Sequence, residues 1–129
     1  MRKDIPHLPV EDVYVAVAKE GEDWRVYLLN RSPQALETIL VTSKGYGEKD
    51  GQEQKTSVLR HAIPRLDPQE YALLEPIDAD VFHLNNEYWV SFYIGSQIYD
   101  KKYIFVPDSI VTGNLSYIPE LRTQGVLHT

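Results

Sequence analysis

The side chains that could carry acid–base or nucleophilic chemistry are few, and most lie far apart in the sequence. The four histidines are His7, His61, His83 and His128, and none forms the H-x-H or H-E-x-x-H spacing that brings two imidazoles to one metal. The chain has no cysteine, which removes thiol nucleophiles, disulfides and Cys-based zinc or redox sites. The sequence therefore predicts no metal site and no cofactor.

One stretch, KTSVLRH at 55–61, places a serine, an arginine and a histidine close together. In a strand, Ser57 and His61 share a face but lie about 13 Å apart, too far for a nucleophile and its base. Arg60 points to the other face, where Glu75 or Asp80 could pair with it. No catalytic constellation results, and we predict that the protein is not an enzyme.

The glycine-bearing stretch KGYGEKDG at 44–51 does not have the spacing of a phosphate-binding loop. It also has too few acidic residues at alternate positions to form a calcium loop. We interpret 44–54 as a solvated loop between two strands, long enough to make a weak contact with a partner.

Length and charge limit the class of protein. The 129 residues are 43% hydrophobic, enough for a single domain over 1–129 with its own core. The formal charge of −6 disfavours nucleic acid or an anionic membrane as a partner. The N-terminal stretch MRKDIPHLPVEDV has no apolar h-region and no apolar run is long enough to span a bilayer, so we expect a cytoplasmic protein.

Alternation with period two runs through most of the chain and predicts strands rather than helices. A hairpin over 13–29 would pair Val17 with Val26 and Val15 with Leu28 across a turn at 20–23. Further strands are predicted at 36–43, 55–63 and 70–77. Short strands with frequent turn signals favour an all-β fold, an immunoglobulin-like antiparallel β-sandwich of seven or eight strands. Residues 108–129 lose the alternation and are predicted to form an irregular tail packed on the domain.

Half of the fourteen aromatic residues lie in 85–106. Two tight reversals, at Asn85-Asn86 and Gly95-Ser96, would arrange 81–105 as three neighbouring strands. The core face would then carry ten residues: Val81, His83, Tyr88, Val90, Phe92, Ile94, Tyr99, Lys101, Tyr103 and Phe105. The second face would carry nine: Phe82, Leu84, Trp89, Ser91, Tyr93, Ile98, Asp100, Lys102 and Ile104. A β-bulge near 100–102 would exchange the later residues between the faces.

The second face is too apolar for an ordinary solvent face, so something should cover it. Three coverings are open: the tail, through Ile110, Leu115, Tyr117, Ile118 and Leu121; a second copy of the chain; or a peptide or small ligand. The candidate interface or ligand residues are Phe82, Trp89, Tyr93, Ile98, Asp100 and Lys102.

Several stretches spread over nearly the whole chain resemble a small family of bacterial proteins: KDIP, VEDVYVAV, VYLLN, TSKGYG, KTSVLRH, LNNEYWVSFYIG, YDKKYIFVPDSI and GVLH. Some members of that family carry the label phenylalanyl-tRNA synthetase α subunit. This chain is far shorter than such a subunit, lacks its arginine-bearing motifs and is predicted to be all-β. The resemblance implies no activity and transfers no site residues. The run VYLLNRSPQALETILVTS is similar to the B–C region of immunoglobulin-like sandwiches, which bears on fold alone.

From these observations we predict a non-catalytic cytoplasmic interaction or accessory module, with a homodimer through the Phe82/Trp89/Tyr93 face as one form of it. The alternative is a β-sandwich that binds a peptide or small molecule on that face.

Overall fold

The computed structural model describes residues 8–129, which form two antiparallel sheets around one shared core. The ten strands are β1 (Val13–Glu20), β2 (Asp23–Asn30), β3 (Leu36–Lys49), β4 (Gln52–Lys55), β5 (Leu59–Leu66), β6 (Tyr71–Ile77), β7 (Asn85–Ile94), β8 (Gln97–Phe105), β9 (Ser116–Ile118) and β10 (Thr123–His128). Sheet A has the order β6-β2-β1-β10-β9, and sheet B has the order β4-β3-β7-β8 with β5 also paired to β3. The all-β prediction is confirmed, but seven or eight strands was too few. The immunoglobulin-like type stays a prediction.

The first hairpin has the predicted register. Val17 pairs with Val26 and Val15 with Leu28, around a two-residue turn in which Gly21 has a φ of +65°. A positive φ at the first turn position matches the twist of the two strands and costs glycine nothing. The valines of β1 point into the core, so this hairpin forms the centre of sheet A.

The opposite wall of the core comes from the aromatic strands β7 and β8, as the alternation predicts. Tyr88, Phe92, Tyr103 and Phe105 are all at most 3% exposed. The Tyr103 hydroxyl donates a 2.6 Å hydrogen bond to the carbonyl oxygen of Val13, which joins sheet B to sheet A. Burial raises the pKa of Tyr103, so this hydroxyl keeps its proton and stays a donor.

The predicted reversal at Gly95-Ser96 is confirmed in its position and its register. Ile94 pairs with Gln97, and Trp89 pairs with Lys102, with no shift between β7 and β8. Gly95 has a φ of +59°, as a type II′ turn requires at its first central position. The two faces therefore hold as predicted from residue 88 to residue 105, without a bulge.

The predicted reversal at Asn85-Asn86 is wrong, because residues 81–84 are not a strand. A 3₁₀ turn occupies Ala79–Val81, and the Asp78 carboxylate caps it by accepting a 2.9 Å hydrogen bond from the Asp80 amide. The Asn86 side chain donates to the carbonyl oxygens of Val81 and Leu84, at 3.0 and 3.2 Å. These side-chain bonds hold the segment as a turn, and Asn86 itself begins to pair with β3 and β8.

The predicted solvated loop at 44–54 is also wrong. β3 continues to Lys49 and turns back at Asp50-Gly51, where both residues have positive φ, into β4. The predicted strand over 55–63 is divided: β4 ends at Lys55, and β5 begins at Leu59 and runs to Leu66. The strand predicted at 70–77 corresponds to β6.

The tail is neither irregular nor placed on the second face of sheet B. Its strands β9 and β10 extend sheet A, with β10 pairing to β1 through Val17 and Val126. Ile118 joins a buried cluster with Ala16, Ala18, Tyr27 and Leu29 on the outer side of sheet A. Ile110 belongs to the central core, and Tyr117 is 62% exposed.

Candidate functional site

The outer face of sheet B, which we term the Trp89 face, is assembled by strand pairing around Trp89. Trp89 lies between Thr42 on β3 and Lys102 on β8, and Tyr93 lies opposite Ile98. By alternation and register the face comprises Glu37, Leu40, Thr42, Lys44, Arg60, Ala62, Arg65, Glu87, Trp89, Ser91, Tyr93, Ile98, Asp100, Lys102 and Ile104. Five of the six predicted contact residues therefore lie together.

Phe82 is the exception among those six. It lies in the turn before β7 and packs edge-on against Trp24, with ring centroids 5.2 Å apart. Leu84, also predicted for this face, is 3% exposed and lies beside Gly47 instead. Both residues leave the face because the segment that carries them is not a strand.

Large apolar side chains on the Trp89 face are open to solvent. Trp89 is 46% exposed, Tyr93 39% and Leu40 53%. Trp89 and Tyr93 lie on the same side of β7 about 13 Å apart, with the small Ser91 between them and Leu40 paired to Ser91. The small Ser91 therefore separates the two rings along β7.

The charges of this face differ from those of the whole chain. Its four cations are Lys44, Arg60, Arg65 and Lys102 and its three carboxylates are Glu37, Glu87 and Asp100, a balance of +1 against −6 for the protein. Within the described part of the chain, neither Arg60 nor Asp100 makes an ion pair or a side-chain hydrogen bond. The Lys102 ammonium lies 4.8 Å from the centroid of the Trp89 ring, a cation–π contact that orients both groups.

A groove of about 450 Å³ borders the face at the β3–β4 end. Its lining includes Tyr46, Lys55 and Val58, together with Glu87, which is nearly buried beneath Lys44 and Tyr46. Because Glu87 and Trp89 point to the same side of β7, the groove and the two rings form one continuous surface.

A second cluster, centred on Glu75, lies inside an opening between the sheets. Glu75 Oε1 accepts a 2.7 Å hydrogen bond from the Ser43 hydroxyl and lies 2.6 Å from His61 Nε2, while Tyr88 donates to Oε2 at 3.2 Å. Burial, followed by the nearby carboxylate, raises the pKa of Tyr88, so its hydroxyl is a donor at every accessible pH. The cluster ties β6 of sheet A to three strands of sheet B.

This cluster was not predicted from the sequence, which suggested Glu75 or Asp80 as a partner for Arg60. A bulge between β2 and β6 inserts Leu74, so that Glu75 lies opposite Val26 and points inward. Arg60 lies on the outer face, and the residue that contacts Glu75 is its neighbour His61. Since the Ser43 hydroxyl donates to Glu75 and not to His61, the geometry supplies no serine–histidine nucleophile. The alternation of β5, which places His61 on the side opposite to Arg60, was the feature of the sequence that could have indicated the contact with Glu75.

The remaining histidines of the described residues have ordinary partners. His83 Nε2 lies 2.7 Å from Gln54 Oε1, in a turn and not on the core face predicted for it, and the His128 ring packs edge-on against Tyr103 and Phe105. His7 lies outside the described residues. Within residues 8–129, no three His, Asp or Glu side chains are grouped to hold a metal ion. The same range holds no helix long and apolar enough to cross a membrane.

Residues 8–129 form a two-sheet all-β protein with an exposed aromatic face on sheet B. Comparison with protein-family models, with curated protein sequences and with solved structures finds no match for this chain. The resemblance to a bacterial family stays a prediction.

Proposed function

We propose that this protein is a non-catalytic interaction module that holds a segment of another protein on the Trp89 face. The observation that carries the proposal is the exposure of Trp89, Tyr93 and Leu40 side by side on a regular strand surface. Rigid aromatic side chains supply much contact area at low entropic cost, and they dominate the binding energy of many interfaces.

The charges of the face indicate the chemistry of the partner segment. Arg60 and Lys102 are the cations without a carboxylate partner on the face, and Asp100 is the only unpaired anion among its described residues. A segment that carries an apolar side chain and a carboxylate therefore complements the face. The apolar group would contact the exposed rings, and the carboxylate would meet Arg60.

The test is a selection from a displayed library of random linear peptides, with the wild-type protein as bait. We expect enrichment of peptides that combine large apolar residues with Asp or Glu. Binding is then measured with synthetic peptide by fluorescence in a Trp24→Phe background, which leaves Trp89 as the only tryptophan. Trp89→Ser should raise the dissociation constant at least about tenfold, as loss of a hot spot does.

The matched control is Tyr117→Ser, which removes an exposed ring of sheet A far from the Trp89 face. It should leave peptide binding unchanged, and Arg60→Glu should remove the preference for acidic peptides. Peptides that bind Trp89→Ser as tightly as wild type would refute the proposal. A doubled mass that Trp89→Ser abolishes would instead identify a second copy, stacked face to face, as the occupant.

A further inference from the structure

The strand β8 forms one edge of sheet B. It pairs with β7 over nine residues, and no strand of the described residues pairs with its other side. β8 contains no proline, and its register with β7 is unbroken. An edge of this length presents a row of backbone donors and acceptors that can pair with another strand.

The hairpin turn fixes which residues present those groups. In a two-residue hairpin the pair that flanks the turn, here Ile94 and Gln97, exchanges backbone hydrogen bonds. Because the direction of these groups alternates along a strand, odd-numbered residues of β8 bond to β7. The even-numbered residues direct their N–H and C=O groups to the open side: Ile98, Asp100, Lys102 and Ile104.

The sequence of β8 is symmetric about its central residue. Residues 98–104 read IYDKKYI, so that positions equally distant from Lys101 are the same residue type, or Asp100 against Lys102. If two copies lay antiparallel about Lys101, Asp100 of each would face Lys102 of the other, and Ile98 would face Ile104. Opposite charges and apolar pairs directly across an antiparallel ladder are stabilising.

We propose that two copies of this chain associate by antiparallel pairing of their β8 edges about Lys101. The symmetry of the sequence and the direction of the backbone groups are independent observations, and both select this register. The residues that pair in this register are the even-numbered ones whose groups point outward, and they would form about eight hydrogen bonds. A register moved by two residues would set Asp100 against itself and lose both charge pairs.

The one unfavourable pair in this register is Lys101 against its own copy. The Lys101 ammonium lies 4.9 Å from the centroid of the Tyr103 ring in the same chain, so the side chain leans along its own strand. Since the two strands run in opposite directions, the two ammonium groups lean away from each other. The pairing also places two Trp89 faces on one side of a continuous sheet, which would let the dimer hold two partner segments.

Charge reversal tests the register directly, with mass measured by sedimentation velocity over a protein concentration series. The wild type should approach twice the 14.9 kDa of one chain. Asp100→Lys and Lys102→Asp each turn two attractive pairs into two repulsive ones, and each should raise the dimer dissociation constant about tenfold or more. Both positions are exposed, so the variants should fold.

Restoring complementarity should restore the dimer. In the double variant D100K/K102D, the lysine introduced at position 100 would again face an acidic residue of the other copy, and the doubled mass should return. An equimolar mixture of the two single variants should form a heterodimer, although neither associates alone. Lys101→Thr, which removes the central like-charge pair, should lower the dissociation constant several-fold.

Backbone pairing gives a second readout by hydrogen exchange. Raising the protein concentration should protect the amides of Asp100, Lys102 and Ile104, and leave those of Tyr99 and Tyr103 unchanged. A monomeric wild type at every concentration would overturn the proposal, as would a dimer that ignores the charge reversals. Trp89→Ser should keep the doubled mass while losing peptide binding, so the two proposals fail separately.

Discussion

Both outer faces of this protein carry apolar side chains, but those of sheet A are buried and those of sheet B are exposed. On sheet A, Ala16, Ala18, Tyr27 and Leu29 are buried under Ile118. On sheet B, Trp89 and Tyr93 stay open to solvent. The buried cluster of sheet A is completed by side chains of the last segment, Ile118 and Leu121, whose strands β9 and β10 extend the same sheet.

Small side chains let the tail pair closely with β1 and let Ile118 reach the outer side of sheet A. The centre of sheet A carries two alanines, and the β9–β10 hairpin contains Gly125 where a larger residue would not fit. A Cβ on Gly125 would lie 2.7 Å from the Val17 carbonyl oxygen and 2.8 Å from the Ile118 side chain. Small residues permit this close approach of one backbone to another.

The Trp89 face has the opposite construction. Two large rings, Trp89 and Tyr93, stand four residues apart on β7, and Lys102 lies over the Trp89 ring. Only the small Ser91 stands between the two rings on this side of β7. The buried cluster on the outer side of sheet A does not extend to β6, where Leu73 is 54% exposed. Burial of this face is therefore partial.

The largest expected effect of any single change in this comparison is on the covered face. Ile118→Ala should lower the free energy of unfolding by about 3 kcal/mol, since Ile118 is 1% exposed and truncation leaves a cavity over the alanines. Urea denaturation measures this loss. The neighbouring change Tyr117→Ala, at a side chain 62% exposed, should cost less than about 0.5 kcal/mol. Equal losses for the two variants would mean that the tail does not seal this face.

A smaller effect is expected at the ion pair that fastens the tail to sheet A. Arg31 donates hydrogen bonds of 2.6 and 3.0 Å to the two carboxylate oxygens of Glu120, and these bonds lower the pKa of Glu120 below its ordinary value of 4.5. Glu120→Gln should cost about 1 kcal/mol at neutral pH.

The sign of the pH dependence follows from the lowered pKa. In the unfolded chain Glu120 has its ordinary pKa of 4.5, and in the folded protein its pKa is lower. The stabilisation by the Arg31–Glu120 pair is therefore complete above pH 4.5. It is lost as the pH falls through the pKa of Glu120 in the folded protein. The stability difference between wild type and Glu120→Gln should therefore shrink below pH 4.5. Glu53→Gln, in an exposed pair with Lys55, is the control and should show almost no difference at any pH. A difference that stays constant down to pH 3 would contradict this role.

The parts of the fold that were predicted correctly are those in which local patterns agree. At Gly21 and Gly95 the glycine sits at the first turn position between strands of clear alternation, so that both hairpins and their registers follow. The Asp50-Gly51 turn has an equally strong signal, but its flanking strands are mostly polar, and composition suggested a loop. The outer end of the β3–β4 hairpin is exposed, so its strands do not need an apolar face there.

The parts that failed depend on contacts that are distant in the sequence. Asn86 has the composition of a turn residue, but its side chain is used to hold the preceding segment. The pairing of β10 with β1 joins residues more than a hundred positions apart, which no local pattern reveals. Of the candidate site, the register of β7 and β8 predicted five members, while Leu40 and Arg60 enter it only through the pairing with β3.

The expected effect of Trp89→Ser on stability is also small, and this variant separates the two faces most directly. A ring that is 46% exposed contributes only part of its burial energy, and its cation–π contact with Lys102 adds a fraction more. We expect a loss of about 1 kcal/mol in urea denaturation, roughly a third of the loss for Ile118→Ala.

The size of that loss reports whether the ring is open in solution. If the Trp89 face were sealed as the face of sheet A is, Trp89→Ser would cost about 3 kcal/mol or more, the range for large-to-small changes in a core. Fluorescence quenching by acrylamide in the Trp24→Phe background checks the same point without loss of the ring. Strong quenching together with a small stability loss is the result expected of a surface kept apolar for a partner, because folding itself gains little from it.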